Sequence, residues 1–147
     1  MGRIEIAAQV TPLAFRATLG HFCTGVTVIT AALDGQPVGF ACQSFAAVSL
    51  EPPLVLFCPS RTSRSWPVIS RAGRFGVNVL TAAQREVSTA FGAGREDKFE
   101  ITGWSPSVDG VPILHGALAW LEATVHAVHE AGDHFVVIGK VVALGGG

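Results

Sequence analysis

The sequence predicts a mainly β protein, a small antiparallel barrel whose connections carry short helices. Three observations predict this fold: six short runs rich in β-branched and aromatic residues, turn signals between them, and helical patterns that are all short. With 147 residues, the chain can form one hydrophobic core but not two. We therefore expect residues 1–147 to form a single domain.

A helix and a hairpin are predicted first. Thr11-Pro12 is a typical helix start, and apolar residues recur at helical spacing after it, which predicts a helix over residues 11 to about 20. Two β-rich runs, 26–33 and 36–43, come next. Asp34-Gly35 joins them and favours a tight turn, so the two runs should pair as antiparallel strands.

The next segment is predicted as a loop, a strand and a helix. Residues 44–51 indicate a loop that ends at Pro52-Pro53, and the proline pair excludes helix at that point. The apolar run 54–58 is a third strand. Ser65 can cap a helix that stops near Gly73. A strand end therefore lies a few residues before a helix start.

A second unit of strand and helix follows. Residues 75–80 have the composition of a strand. Thr81 and Gln84 match a capping box, which predicts a helix directly after them. Gly92 and Gly94 are expected to end that helix.

The last predicted elements are two long strands. A loop rich in Gly, Pro and Ser precedes the apolar runs 118–128 and 134–144. These runs predict an antiparallel pair joined by a turn at residues 130–133.

Composition limits the classes of partner. Hydrophobic residues make up 49% and charged residues 14% of the chain, more apolar surface than a lone domain needs to bury, which predicts a homodimer. A net charge of −1 without charge runs argues against a nucleic-acid footprint and a membrane-surface patch. Three cysteines without close spacing indicate reduced thiols, and no run of about 18 apolar residues occurs. We therefore expect a soluble, cytoplasmic protein.

A cluster of hydroxyl and guanidinium groups lies between the predicted strand 54–58 and the helix after it. A helix start favours an anion through its unpaired backbone N–H groups and its dipole, and these side chains complete such a site for a phosphate. The cluster consists of Ser60, Arg61, Thr62, Ser63, Arg64 and Ser65. The alternative is that Ser65 only caps the helix and that the arginines are solvated.

The stretch from Ala41 to Phe45 offers a wall for a flat ring. A planar heteroaromatic ring with polar edges needs backbone donors and acceptors, small side chains that permit close approach and an apolar neighbour. Taken alone, the stretch fits better a strand end with Cys42 and Phe45 in the core. Together with the hydroxyl cluster, it predicts a phosphate-bearing aromatic cofactor.

Two other kinds of site are not supported. His126, His129 and His134 do not match the ligand spacing of zinc sites, so no metal is expected. Gly92-Ala93-Gly94 begins like a dinucleotide fingerprint, but Asp97 stands at the third glycine position and no strand precedes the motif. A Rossmann site is therefore excluded.

Several motifs carry a resemblance to a known family. They are FRATLGHFCTGVTVIT, VGFACQSFAAVSLEPPLVLFCPS, SRSW, GRFGVNVLT, DKF and GDHFVV, which together span Phe15 to Leu144. In this order and spacing they resemble the short-chain flavin reductases, which are the reductase components of two-component flavin-dependent monooxygenases. Within that family, the chain is most similar to reductases of actinobacterial steroid degradation, and relatives that serve other phenols share most of the pattern.

The resemblance implies the fold, the cofactor and the partners. Members of the family have a split β-barrel fold, an antiparallel Greek-key barrel that binds FMN, and are typically homodimers. They bind FMN or FAD, reduce it with NADH or NADPH, and pass the reduced flavin to a partner monooxygenase. The nicotinamide is then expected to stack on the flavin. Family members usually continue into a further aromatic-rich segment, whereas this sequence ends at Gly147.

The resemblance also implies the residues that contact the cofactor. It places the flavin against the second hairpin strand, its phosphate at the hydroxyl cluster, and a further wall at the end of the capped helix. The implied residues are Pro37, Val38, Gly39, Phe40, Ala41, Gln43, Ser44, Cys58, Pro59, Ser60, Arg64, Ser65, Ala90, Phe91, Gly92, Ala93, Gly94 and Arg95.

His134 is the implied catalytic residue. In the family this histidine lies near the nicotinamide, where it could bond a carboxamide or bias the protonation of the flavin. The alternative is a structural histidine bonded to Asp133. Rival functions are a non-catalytic flavin-binding or redox-sensing protein, a relative of the pyridoxamine-phosphate oxidases, and a dimerisation module that binds no flavin.

Overall fold

The structure is a computed structural model that describes residues 26–146. The helix predicted over residues 11 to about 20, and Cys23, lie outside the described residues. Within residues 26–146, the chain is mainly β with short helices at the connections, as predicted.

Nine strands form two sheets in the described part of the chain. The strands are β1 (Thr27–Leu33), β2 (Gln36–Cys42), β3 (Ala46–Leu50), β4 (Pro53–Phe57), β5 (Arg74–Val79), β6 (Trp104–Pro106), β7 (Pro112–Leu114), β8 (Ala119–Ala131) and β9 (His134–Gly146). Seven of them form one antiparallel sheet in the order β2-β1-β5-β8-β9-β4-β3, and β6 and β7 pair separately. Because β2 and β3 follow each other in the chain but end the order, the sheet is split between them.

The two predicted hairpins are both present. Asp34 and Gly35 have φ angles of 55° and 78°, the left-handed pair that matches the twist of a two-residue hairpin, and they join β1 to β2. The pair β8 and β9 turns at Gly132, whose φ is 65°. Both turns were predictable because their residues adopt a positive φ at low cost.

The helices lie near their predicted positions. They are α1 (Ser65–Ala72), a 3₁₀ turn (Ala82–Gln84), α2 (Arg85–Ala93) and α3 (Lys98–Thr102). The capping box is present, since the Thr81 N–H donates to Gln84 Oε1 over 2.9 Å. Gly73 and Gly94 end α1 and α2 in the left-handed conformation, whereas Gly92 lies inside α2.

Two predictions about these connections were wrong. Ser65 does not cap α1, because its hydroxyl donates to the Gly39 carbonyl over 3.3 Å, and Ser63 Oγ instead accepts from the Trp66 N–H over 3.1 Å. The segment predicted as a loop before the proline pair contains β3. It pairs with β4 through a register shift between Ala47 and Ser49, an irregularity that a pattern of small residues does not reveal.

The Gly- and Pro-rich segment after α2 was also predicted as loop, but it contains α3, β6 and β7. A buried polar network holds β7 against the main sheet. Asn78 Nδ2 donates to the Thr30 hydroxyl over 3.2 Å, and Asn78 Oδ1 accepts from the Leu114 N–H over 2.9 Å. Thr30 Oγ1 in turn donates to the Pro112 carbonyl over 2.6 Å. These tertiary bonds, rather than local propensity, order the segment.

The core lies between the main sheet and the helices. Phe57 and Phe75 are fully buried with ring centroids 4.8 Å apart, and Ile69 of α1 packs in the same cluster. A second cluster contains Phe91 of α2 and Val28 of β1. None of the helices within residues 26–146 is long and apolar enough to cross a membrane.

Candidate functional site

A cleft of about 860 Å³ opens where the main sheet is split. It is lined by the end of β2, the connection from β2 to β3, the loop from β4 to α1, the end of α2 and the start of β9. Its lining residues are Gly39, Phe40, Ala41, Cys42, Gln43, Ser44, Cys58, Ser60, Ser63, Arg64, Ser65, Phe91, Gly92, Ala93, Gly94, Glu96, Lys98 and His134.

Most of the residues implied by the sequence therefore meet in one place. The cleft brings together the predicted ring wall, the predicted phosphate loop, the helix end and His134, although these segments are far apart in the chain. A few implied residues do not line it, namely Pro37, Val38, Pro59, Ala90 and Arg95.

Each of these outlying residues has another environment. Val38 packs against the core, and Pro59 and Ala90 are buried. Pro37 pairs with Ala32 next to the hairpin turn, at the end of β2 opposite to the one that lines the cleft. The guanidinium of Arg95 faces its own neighbour Asp97, with two nitrogen-to-oxygen distances of 3.0 and 2.8 Å. Their predicted contact with a cofactor remains a prediction.

Sequence reasoning missed some lining residues. Cys42 had been interpreted as a core residue, and although its side chain is buried it borders the cleft. Ser63 belongs to the hydroxyl cluster but not to the residues implied by the resemblance, and it lines the cleft. Glu96 and Lys98 were not named, although Lys98 belongs to the DKF motif and follows the acid that pairs with Arg95. The pair of Arg95 with Asp97 was the available signal, because it leaves Lys98 as the next cation without an ion pair in the described part of the chain, although Lys98 Nζ donates to the Arg95 carbonyl over 3.3 Å.

The loop from β4 to α1 is ordered by its own hydroxyls. Ser60 Oγ accepts from the Thr62 N–H over 3.2 Å and lies 2.9 Å from Thr62 Oγ1. Ser63 caps α1. Arg64, the residue before α1, makes no ion pair within the described part of the chain and lines the cleft. The hydroxyls thus shape the loop, and Arg64 carries its uncompensated charge.

Ser44 fixes the wall of the cleft opposite α2. Its hydroxyl oxygen accepts from the Cys58 N–H over 3.0 Å and lies 3.2 Å from Cys42 Sγ. The connection after β2 is thereby tied to the end of β4. Within the described residues, Cys42 and Cys58 are free thiols, and no group of His, Cys, Asp and Glu there could hold a metal ion.

The α2 side of the cleft depends on close packing at Gly39. A Cβ added to Gly39 would lie 2.9 Å from the Ile29 carbonyl oxygen and 3.1 Å from the Phe91 ring. Phe91 stacks edge-on against Phe99, with centroids 5.0 Å apart. Only glycine lets β2 approach α2 this closely, which brings backbone groups of β2 to the cleft.

His134 stands at the rim, at the start of β9. Its Nδ1 lies 2.7 Å from Asp133 Oδ1, so the structural contact considered from the sequence is present, and His134 also lines the cleft. The hydrogen bond to His134, together with its charge, lowers the pKa of the Asp133 carboxyl below its usual 3.8. Asp133 therefore stays ionised and orients the imidazole, which leaves Nε2 for another partner.

This arrangement fits a phosphate-bearing flat ring. Backbone of β2 and the Phe91 and Phe40 side chains supply a mixed polar and apolar wall, Arg64 and Lys98 supply positive charge, and His134 supplies a titratable donor at the rim. Large apolar pockets with a few convergent polar groups are typical cofactor sites.

Comparisons with known proteins agree with this geometry. Residues 19–146 match the family model described as flavin reductase like domain. The chain is 58% identical over 139 residues to "Flavin-dependent monooxygenase, reductase subunit HsaB" of Mycobacterium tuberculosis, covering 95% of this chain and 74% of that protein. It is 43% identical to "FMN reductase (NADH) SmoA" of Agrobacterium fabrum, covering 87% of this chain and 73% of the relative.

Solved structures show the same fold. A nitrilotriacetate monooxygenase component B homologue from Mycobacterium thermoresistibile superposes with a TM-score of 0.82 at 55% identity, over 97% of this chain and 78% of the other. The flavin reductase PheA2 superposes with a TM-score of 0.78 at 32% identity, over 92% and 88%. The predicted split-barrel fold is confirmed, and the chain belongs to the flavin reductase family.

Proposed function

We propose that the protein is an NAD(P)H-dependent flavin reductase that reduces FMN or FAD and supplies the reduced flavin to a separate monooxygenase. The observation that carries this proposal is the cleft itself, in which a ring wall, uncompensated cations and His134 converge. The named relatives that reduce flavin and serve monooxygenases support it.

The loop from β4 to α1 is proposed to hold the flavin phosphate. Arg64 stands before the first turn of α1, where free backbone N–H groups and the helix dipole favour an anion. Ser60 and Ser65 also line the cleft. A guanidinium and a phosphate make strong charge-assisted hydrogen bonds, so the contact between Arg64 and the phosphate should contribute most to the orientation of the bound flavin.

The end of β2 and the residues after it are proposed to contact the ring. Gly39 to Ala41 bring backbone donors and acceptors to the cleft, and Gln43 and Ser44 follow at its edge. The end of α2, from Phe91 to Gly94, lines the cleft next to β2, against which Phe91 packs at Gly39.

Flavin accepts a hydride from reduced nicotinamide when the two rings lie face to face, at about 3 to 3.5 Å. The reaction therefore requires the protein to position the two rings rather than to supply an acid or a base. The open cleft offers a shelf for one ring and room for a second. His134, oriented by Asp133, is proposed to hydrogen-bond the nicotinamide carboxamide or to bias the protonation of the flavin.

The wider setting is proposed from the relatives. A relative such as HsaB is named as the reductase subunit of a flavin-dependent monooxygenase, so we infer an oxygenase partner here. The resemblance of the sequence motifs extends this proposal to an oxygenase of steroid or phenol degradation. A cytoplasmic location is consistent with the free thiols of Cys42 and Cys58.

A homodimer is proposed from the exposed apolar side chains of two strands. Val48 and Leu50 on β3 are 45% and 76% exposed, and Val142 and Leu144 on β9 are 49% and 74% exposed. Both strands pair with β4, although Val142 and Leu144 lie beyond Lys140, where the pairing of β9 with β4 ends. Sedimentation at micromolar concentration tests the dimer, and Leu50→Glu should weaken it.

The proposed flavin reductase activity is tested by measuring turnover with free flavin. The purified protein, supplied with NADH or NADPH and with FMN or FAD, should oxidise the nicotinamide. Reduced flavin should then be detected by its transfer to an acceptor. No oxidation with any of the four combinations would refute the proposal.

The same experiment separates the rival functions. A non-catalytic flavin-binding or redox-sensing protein would retain flavin through purification, visible in its absorbance, and would not turn over. A dimerisation module would bind no added flavin at all.

A further inference from the structure

Arg61 lies next to the cleft but does not line it, and its whole side chain is used to hold another segment. Its Nε donates to the Gly132 carbonyl over 2.7 Å, and its Nη2 lies 2.8 Å from Glu130 Oε1. The guanidinium carbon sits 4.6 Å from the centroid of the Phe135 ring. These three partners belong to the turn between β8 and β9 and to its two flanks.

The backbone of Arg61 reaches the same turn. Its N–H donates to the Asp133 carbonyl over 3.0 Å. The main chain and the side chain of Arg61 thus donate hydrogen bonds to two consecutive carbonyls of the turn, those of Asp133 and Gly132. The sequence allowed Arg61 to be a solvated arginine. In the structure its guanidinium instead makes two directed hydrogen bonds, to the Gly132 carbonyl and to Glu130.

The turn lies beyond the part of β9 that pairs with β4, so Arg61 contacts it where the β4–β9 ladder has ended. The pairing of β4 with β9 ends at Phe57 and Val137, so the first residues of β9 lack a ladder partner on that side. In the described part of the chain they contact the loop from β4 to α1 through the Phe135 N–H to Pro59 carbonyl bond of 2.9 Å, an isolated bridge between Ser60 and His134, and Arg61. Phe135 also packs against Trp66 of α1, with ring centroids 6.0 Å apart.

His134 is carried by this turn. Its neighbour Asp133, which orients its ring, is the residue whose carbonyl accepts from the Arg61 backbone. A displacement of the turn would therefore move the imidazole relative to the cleft. Small displacements matter in catalysis, since about 1 Å of misplacement can cost roughly 100-fold in rate.

We propose that Arg61 is a positioning residue that locks the β8–β9 turn onto the phosphate loop and thereby sets the place of His134 in the cleft. The inference rests on the proposed function of His134. It assigns to Arg61 no contact with flavin or nicotinamide.

A stabilising ion pair is the simpler role, and its size can be bounded. Arg61 and Glu130 have side chains that are 41% and 79% exposed, and many ion pairs as exposed as this one contribute nothing measurable to stability because solvent screens them. Loss of that pair alone should change neither the fold nor the rate. Glu130→Gln, which keeps the Gly132 and Phe135 contacts, is therefore the matched control.

The test compares Arg61→Met and Arg61→Lys with Glu130→Gln. Met keeps the apolar stem over Phe135 but removes every side-chain donor, and Lys keeps the charge but not the fork. We expect kcat to fall about tenfold in Arg61→Met, with the flavin KM changed less than threefold. Arg61→Lys should recover only part of the loss, and Glu130→Gln should match the unchanged protein. Thermal unfolding checks that all variants are folded.

Two further measurements show whether Arg61 acts through His134. The loss in Arg61→Met should be absent in a His134→Asn background. The imidazole signals of His134 in NMR spectra, assigned with His134→Asn, should shift in Arg61→Met and not in Glu130→Gln.

Unchanged imidazole signals, or a rate loss that adds fully to that of His134→Asn, would overturn the proposal. The NMR measurement does not depend on turnover. If the unchanged protein fails to reduce flavin, the proposed function is lost while the placement of His134 by Arg61 is still decided.

Discussion

Replacing Arg64 tests whether the loop before α1 holds the flavin phosphate. Arg64 lines the cleft, precedes the first turn of α1 and has no ion-pair partner within residues 26–146. Arg64→Gln removes its charge and retains a polar side chain of similar reach. Because no carboxylate loses a partner, the change should leave the fold intact.

The expected magnitude follows from the exposure of this side chain. Hydrogen bonds to charged groups contribute about 1.5 to 3 kcal/mol, and Arg64 is exposed, so solvent screening places its contribution at the lower end. A loss of about 1.4 kcal/mol raises a Kd tenfold. We therefore expect FMN to bind about tenfold more weakly to Arg64→Gln.

Riboflavin supplies the control that isolates the phosphate. Flavin fluorescence titrations give the Kd for FMN and for riboflavin, which shares the ring but lacks the phosphate. Arg64→Gln should weaken FMN and leave riboflavin unchanged, and the preference for FMN in the unchanged protein should shrink with added salt. Arg71→Gln, at the other end of α1, should bind both ligands normally.

Equal weakening of FMN and riboflavin would refute the reasoning, because Arg64 would then act on the ring wall. A normal FMN affinity in Arg64→Gln, with the loss found in Lys98→Gln instead, would move the phosphate to the α2 side of the cleft.

Three further predictions concern stability. Gly39→Ala should lower the free energy of unfolding in urea by about 1 to 3 kcal/mol, because its Cβ meets a backbone carbonyl at 2.9 Å, whereas Gly92→Ala, with nothing within 4 Å, should not. Asn78→Ala should cost about 1 to 3 kcal/mol by the same measurement, because the buried Leu114 N–H loses its acceptor. The pKa of Asp133 is lowered in the folded protein, so its contribution is present above pH 4 and lost as the pH falls through the lowered value; stability should therefore fall less between pH 5 and pH 2 in Asp133→Asn than in the unchanged protein.

Local signals predicted the hairpins, the capped helix and the helix ends. Asp34-Gly35 and Gly73 occupy positions of positive φ, which few residue types adopt. Thr81 and Gln84 bond each other's backbone N–H groups in the capping box. Each of these features depends only on residues that are close in sequence. The strands of three residues, and α3, were missed because their order comes from bonds such as that of Asn78 to the Leu114 N–H, which are distant in sequence.

The sequence predicted which segments meet at the site. It did not predict the role of each charged residue. Arg61, Arg64 and Arg95 look alike in sequence. The structure separates them by their partners: Glu130 and the turn carbonyls occupy Arg61, and Asp97 occupies Arg95. Only the pair of Arg95 with Asp97 is local enough to be anticipated.

The balance of charge in the cleft bears on how tightly flavin is held. Arg61 and Arg95 are committed to protein carboxylates, which leaves Arg64 and Lys98 as the cations that line the cleft within the described residues, with Glu96 opposing them. A phosphate dianion facing exposed, screened cations binds less firmly than one enclosed by buried ones. A reductase that hands its product to another protein needs such reversible binding. The ion pairs of Arg61 with Glu130 and of Arg95 with Asp97 therefore have two consequences: they reduce the number of cations available to bind the phosphate, and the resulting weaker binding would let the reduced flavin dissociate.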